Sequence, residues 1–316
     1  PAQDSILSAR GVLIVGKGNA MCNEITDAEN EIWLGTGPLG RREFGVLGVG
    51  ASVAMMMPAC AAGADPASGQ AAPTARIVSI PMAEGAADAY FVHPAQGRHP
   101  AVILWPDIGG LREAYQIMGT RLAQAGYAVL VVNHYYRSAK APVFASLAER
   151  QSAQGQARLK PMVAAITPAG TSADAASFVD WLVQQPAVDA KRKMGSCGYC
   201  MGGPFTFRTA AARPDRVGAI ASFHGGKLVT DAADSPHLLL PKMQAGLLIA
   251  IAQNDDAREP ATREVLREAA KTAGRTAEIE VYPAQHGWCT LDSPVYDKES
   301  AEKAWSRMLA LFHTAL

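Results

Sequence analysis

From residue 101 onward the chain alternates short, continuously apolar runs with longer stretches in which apolar residues recur every three or four positions. The runs are "AVILWPDI" (101–108), "YAVLVVNHYY" (127–136), "GSCGYC" (195–200), "VGAIASFHGG" (217–226), "GLLIAIAQND" (246–255) and "AEIEVYPAQHG" (277–287). A strand with no polar alternation is buried on both faces, and such strands belong to parallel sheets covered by helices on each side. Helices are expected at 115–126, stopped by Gly126, at 172–185 with Ser172 as N-cap, and at 201–212, 260–274 and 297–314. "RIVSIPM" and "ADAYFVHP" precede them as a leading hairpin. The fold class is therefore α/β, with a mostly parallel sheet between two helical layers. Ligands on such sheets gather beyond the C-terminal ends of the strands. Residues 137–170 are the least regular part and read as a lid or excursion over those ends.

Composition narrows the function. Twenty-nine Lys and Arg balance 29 Asp and Glu, so no net field draws in nucleic acid or an acidic surface. A small-molecule substrate and a monomer are expected. Five cysteines, at 22, 60, 197, 200 and 289, are too few and too unevenly placed for a disulfide scaffold.

The first 75 residues read as a leader, a signal and a linker, and residues 76–316 as the folded domain. Arg41-Arg42, the uncharged run Phe44–Met57 and the small residues after it are the order of a twin-arginine export signal. The run is shorter than the roughly 20 residues that span a bilayer. Export to the periplasm is expected, with Cys60 in "MPAC" as an alternative lipid-anchor site and a cytoplasmic location if the signal does not function. "GVLIVGKG" (11–18) approaches a P-loop, but Gly18 stands where Ser or Thr must bind magnesium.

Gly198-Tyr199-Cys200-Met201-Gly202 has the G-x-nucleophile-x-G form of a nucleophile elbow, with cysteine in place of serine. The two glycines let strand and helix approach closely, and the following helix turns its N–H groups toward the sulfur, a field that favours thiolate. A cysteine nucleophile needs an imidazole to take its proton and a carboxylate to orient that imidazole. His286 follows the last strand run, and Asp255 and Asp256 follow the one before; Asp255 is preferred, with Asp256 left open. The order Cys200, Asp255, His286 is that of the α/β-hydrolases.

These residues resemble the dienelactone hydrolase family from about residue 76 to the C-terminus, on "GYCMGG", "AQNDDAREP", "HGW" and "WPDIGGLRE". The resemblance implies an ester or lactone hydrolase with a Cys-Asp-His triad that needs neither cofactor nor metal. It implies an oxyanion hole at the backbone N–H groups of Met201 and Ile108. Asp107 stands where the family has a Glu that helps set the protonation of the resting thiol. Of the two arginines that hold the substrate carboxylate in bacterial members, Arg137 matches one, and Thr290 occupies the place of the other. Tyr135, Tyr136, His224 and Trp288 are left as pocket-lining candidates.

Two rival readings use the same residues. Cys197 and Cys200 form a C-x-x-C pair that a thiol-disulfide oxidoreductase would need. A non-catalytic member of the fold would bind a ligand in the same pocket without turnover. A zinc knuckle would require a second ligand pair at comparable spacing, which the sequence does not supply.

Overall fold

The computed structural model describes Asn30, residues 71–145 and residues 147–316. Apart from residues 71–75, the expected leader, signal and linker lie outside the described residues, Asn30 excepted. All elements below belong to one unit, Val49–Leu316.

The sheet has eight strands: β1 Thr74–Met82, β2 Gly85–His93, β3 Ala101–Trp105, β4 Ala128–Val132, β5 Met194–Tyr199, β6 Val217–Phe223, β7 Gly246–Ala252 and β8 Ala277–Tyr282. Their spatial order is β1-β2-β4-β3-β5-β6-β7-β8. β1 and β2 pair antiparallel, β2 meets β4 antiparallel, and every other neighbour is parallel. β1 begins at Thr74, two residues inside the expected linker.

Alternate residues of each central strand feed opposite layers. Val102, Leu104, Val129, Val131, Ala219 and Ala221 join one core; helices α1 (Glu113–Gln124) and α8 (Lys298–Ala315) cover it with Tyr115, Met118, Leu122, Met308 and Phe312. Ala101, Ile103, Trp105, Leu130 and Val132 join the other, under Phe178, Val179 and Leu182 of α4 (Pro168–Val183). A neighbouring cluster on β6, β7 and β8 is closed by Phe207 of α5 (Gly202–Ala212) and Leu266 of α7 (Thr262–Thr272). Two short helices, α2 (Leu147–Gln151) and α3 (Ala153–Ala164), occupy the irregular region, and α6 (Gln253–Arg258) follows β7 directly.

Two sequence expectations need correction. The helix expected from Ser172 begins a turn earlier: the Thr167 side chain accepts the Gly170 N–H, Pro168 fills the first turn, and the Ser172 hydroxyl donates back to the Pro168 carbonyl inside the helix. The strand runs also overshoot. β3 stops at Trp105, β4 at Val132, β6 at Phe223, β7 at Ala252 and β8 at Tyr282, so the last three to five residues of each run are loop or short helix. The candidate site residues Asp107, Ile108, Tyr135, His224, Asp255 and His286 lie in those ends.

β3 connects leftward to β4, whereas β5 lies on its other side, so the strand order reverses between β3 and β5. At such a switch point the connections diverge and leave a crevice beyond the strand ends. Trp105 pairs with Gly198 in that register, which brings the loop after β3 beside the residues after β5.

Candidate active site

Cys200 sits at the turn between β5 and α5 with φ +52°, a left-handed value that costs a non-glycine residue steric strain and persists only where the surroundings impose it. The turn is held from both sides. The Cys200 N–H donates to the Phe223 carbonyl at 3.0 Å, and the Cys200 carbonyl accepts the Gly203 N–H at 3.0 Å. A Cβ on Gly198 would stand 2.1 Å from the Gly202 carbonyl oxygen, and one on Gly202 would stand 2.4 Å from the Trp105 carbonyl oxygen. Both contacts are with backbone that cannot yield cheaply, so the close approach of strand and helix requires glycine at both positions. Cys197 is fully buried in the strand, where burial pushes its thiol pKa up and keeps it protonated.

His286 lies four residues past β8 and is buried. Its Nδ1 meets Asp255 Oδ2 at 2.7 Å, and its backbone N–H donates to Asn254 Oδ1 at 2.8 Å. With Nδ1 so engaged, Nε2 is left for the sulfur. The Cys200 sulfur and a ring nitrogen of His286 lie within 4.8 Å. Burial opposes a charged imidazole here, but the Asp255 carboxylate and the neighbouring Cys200 outweigh it and raise the His286 pKa well above its ordinary value. Burial likewise raises Asp255, yet His286 more than offsets this and its carboxyl is lowered. Asp255 is not the first residue past β7, as its place in the run suggested; it is the third residue of α6. Asp256 turns instead toward Arg263, at 3.4 Å.

The loop after β3 carries the second expected oxyanion donor. The Tyr135 hydroxyl donates to the Ile108 carbonyl at 2.9 Å, and the Gly110 N–H donates to the Asp107 carbonyl at 2.9 Å. These bonds set the loop's course. Among the described residues, neither the Ile108 N–H nor the Met201 N–H is spent on another protein group.

Asp107 is engaged by a residue that sequence reasoning did not single out. Arg112 donates to its Oδ1 and Oδ2 at 2.7 and 3.0 Å, and to the Asp292 carboxylate at 2.6 and 2.8 Å; the Gly109 N–H adds a bond of 2.8 Å. Burial pushes the Asp107 carboxyl up, but Arg112 more than reverses this and holds it well below the usual carboxylate range. Arg112 thereby ties the loop after β3 to the segment that follows His286. The only trace in the sequence was its place in "WPDIGGLRE".

The pocket-lining candidates have unequal fates. Tyr135 is buried with its hydroxyl committed to Ile108. Arg137 directs its guanidinium to both Asp174 oxygens, at 2.6 and 2.9 Å, and to Glu84, so a substrate carboxylate competes there with two of the chain's own. Tyr136 donates to the same Asp174. Trp288 is wholly buried and stacks on Tyr282, with centroids 4.7 Å apart. His224, the residue after β6, reaches the centre instead: its ring lies 4.6 Å from that of His286. Burial holds its pKa down at about 3, and the neighbouring His286 adds to the effect, so the imidazole is neutral.

The arrangement can support nucleophilic attack on an acyl carbon, with a base held in one tautomer and two backbone donors nearby. The dienelactone hydrolase family model matches residues 87–316. A Salmonella typhi protein provisionally named carboxymethylenebutenolidase is 30% identical over 246 residues, covering 76% of this chain and 87% of its own. An Escherichia coli K12 protein with the same provisional name is 30% identical over 245 residues, covering 75% and 86%. Among solved structures, one provisionally named dienelactone hydrolase, from Klebsiella pneumoniae, superposes with a TM-score of 0.66 at 28% identity, covering 77% of this chain and 99% of its own.

Proposed function

The chain belongs to the dienelactone hydrolase family, whose members cleave esters and lactones, and from that premise we propose that it works through a Cys200-His286-Asp255 triad and a thioester acyl-enzyme. The observation that carries this reading is Cys200 on a strained, glycine-flanked turn, near a histidine whose Nδ1 is held 2.7 Å from Asp255.

The Cys200 sulfur, its proton passed to His286 Nε2, attacks the carbonyl carbon and forms a C–S bond while the carbonyl oxygen becomes an oxyanion. The Met201 and Ile108 N–H groups donate to that oxygen; one such donor is worth about 10²–10³ in kcat. Collapse breaks the C–O bond of the ester, and the alkoxide leaves with the proton from His286. Water then attacks the thioester, His286 taking its proton and returning it to the sulfur as the carboxylic acid departs. Asp255 holds the imidazole in one tautomer throughout and offsets its charge.

The substrate is a small ester or lactone without a strong requirement for a free carboxylate, since Thr290 replaces one expected arginine and Arg137 is already paired. Asp107, by its position and charge, influences the resting thiol. The protein acts as a monomer, exported through Arg41-Arg42, with Cys60 as the alternative anchoring residue.

The test is intact-mass analysis of the full chain after brief exposure to an activated ester, beside Cys200→Ala, Cys197→Ala and His286→Ala, with hydrolysis followed in parallel. Hydrolysis and acyl uptake are expected to vanish in Cys200→Ala and to survive in Cys197→Ala; His286→Ala should lose hydrolysis. Equal dependence on both cysteines would favour a redox pair. An intact fold with no turnover would favour a binding protein.

A further inference from the structure

The proposed mechanism employs Cys200 and His286 but leaves their neighbour His224 without a task. Only 1% of His224 is exposed, and neither of its ring nitrogens meets a hydrogen-bond partner. Buried polar atoms are satisfied in the great majority of cases, so two orphans on one ring call for an explanation. Its backbone, at φ +39°, is left-handed as well, a conformation that the surroundings must impose on a histidine. Among the described residues, the donor atoms of Cys200, His224 and His286 all lie within 4.8 Å of one another, and all three side chains are buried.

We propose that Cys200, His224 and His286 form a three-ligand site for a borderline-soft divalent cation, with Zn²⁺ as the probe, and that its occupation ties up the Cys200 sulfur.

A thiolate and two imidazoles select zinc or copper over magnesium or calcium. In tetrahedral zinc sites the metal lies about 2.3 Å from sulfur and about 2.0–2.1 Å from nitrogen, so the donors of one thiolate and two imidazoles stand roughly 3.3–3.6 Å apart. From separations of up to 4.8 Å the side chains must therefore draw in by at most about 1.5 Å. Asp255 on His286 Nδ1 supplies the outer carboxylate that metal-bound histidines commonly have, leaving Nε2 to the metal. Binding forms metal–sulfur and metal–nitrogen bonds and releases to solvent the one proton that the Cys200 sulfur and His286 Nε2 hold between them, with no change of oxidation state. A fourth position stays open for water. The coordinated sulfur cannot attack an acyl carbon, so the hydrolase is held off until the cation leaves. The site shares two residues with the proposed triad, but its existence does not depend on what that triad hydrolyses.

The full-length protein is titrated with Co²⁺, followed by the thiolate-to-cobalt charge-transfer band, and with Zn²⁺, followed by alkylation of Cys200 read by peptide mass mapping. Variants are Cys200→Ser and His224→Asn, asparagine being tolerant of the left-handed backbone. The band is expected in wild type, absent in Cys200→Ser, and at least tenfold weaker in cobalt affinity in His224→Asn. Zinc should protect Cys200 from alkylation, a chelator should reverse that, and His224→Asn should need at least tenfold more zinc. A band that survives Cys200→Ser, no band in wild type, or equal zinc protection in His224→Asn overturns the proposal. The Cys200→Ser comparison decides the matter even where His224→Asn lowers the melting temperature. Wild type that shows the Cys200-dependent band but hydrolyses no ester upholds the site and removes the triad reading; hydrolysis through Cys200 with no band does the reverse.

Discussion

Gly202→Ala tests whether the elbow and the loop after β3 work as one unit. The added methyl would stand 2.4 Å from the Trp105 carbonyl oxygen and 2.7 Å from that of Pro106, against the 3.0 Å below which Cβ atoms are essentially never found. The helix end must therefore retreat from β3 by about 0.6 Å, because both obstacles are backbone. Overpacking of this kind costs about 1–3 kcal/mol. In a domain of this size each kcal/mol lowers Tm by about 2–4 °C, so a fall of roughly 2–12 °C is expected. The same retreat separates the Met201 N–H from the Ile108 N–H, and misplacing one oxyanion donor costs about 10²–10³ in kcat. Acylation by an activated ester should fall by that factor, whereas alkylation of Cys200 by iodoacetamide, which forms no oxyanion, should change only a few-fold. Gly246→Ala is the control, since its methyl meets the end of the Leu311 side chain at 3.2 Å and the Thr276 carbonyl oxygen at an ordinary 4.0 Å. A Gly202→Ala protein that melts and acylates like wild type would show that the close contact is not required and would refute the reasoning.

Asp255→Asn should lower kcat by about 10⁴ through loss of the correct imidazole tautomer, whereas Asp256→Asn should stay within a few-fold, as steady-state kinetics would show. Arg112→Gln leaves Asp107 buried without its cation, and breaking such a pair costs about 3–5 kcal/mol, read by chemical denaturation at pH 7. The pH dependence of that loss has a definite sign. In wild type the Asp107 pKa is depressed, so its stabilisation is present above the unfolded value of 3.8 and fades as pH falls through the lowered folded value. In the variant burial is no longer offset by the guanidinium and the Asp107 pKa rises from its wild-type folded value, so the penalty is present at neutral pH and relaxes as the carboxyl protonates on acidification; a stability gap that widens on acidification would contradict this. Asp107→Asn should shift the pH profile of Cys200 alkylation, and an unchanged profile would remove Asp107 from control of the thiol.

The sheet was readable because a doubly covered parallel strand needs an uninterrupted apolar run, and each central run holds a strand. The overshoot of those runs has the same cause. In "NHYY", "HGG" and "PAQHG" the residues Asn133, His134, Tyr135, His224, Ala284, Gln285 and His286 stay buried past the hydrogen-bonded ladder, since the loops that carry them fold over the strand ends. The start of α4 was misplaced because Thr167 and Ser172 both offer a capping hydroxyl, and only the neighbouring Pro168 and the bond to Gly170 decide between them.

By itself the sequence determined the parallel core, the glycine-flanked turn at Cys200, and the presence of a histidine and a carboxylate after later strands, because spacing and residue type report local backbone demands. Tertiary structure decided which carboxylate faces His286, that Arg112 bridges Asp107 and Asp292 across 180 residues of chain, that Arg137 is already paired, and that His224 ends beside the sulfur. Those pairings depend on where separate loops end in space. No local period records that, since the strand order that brings the loops together is a property of the assembled sheet.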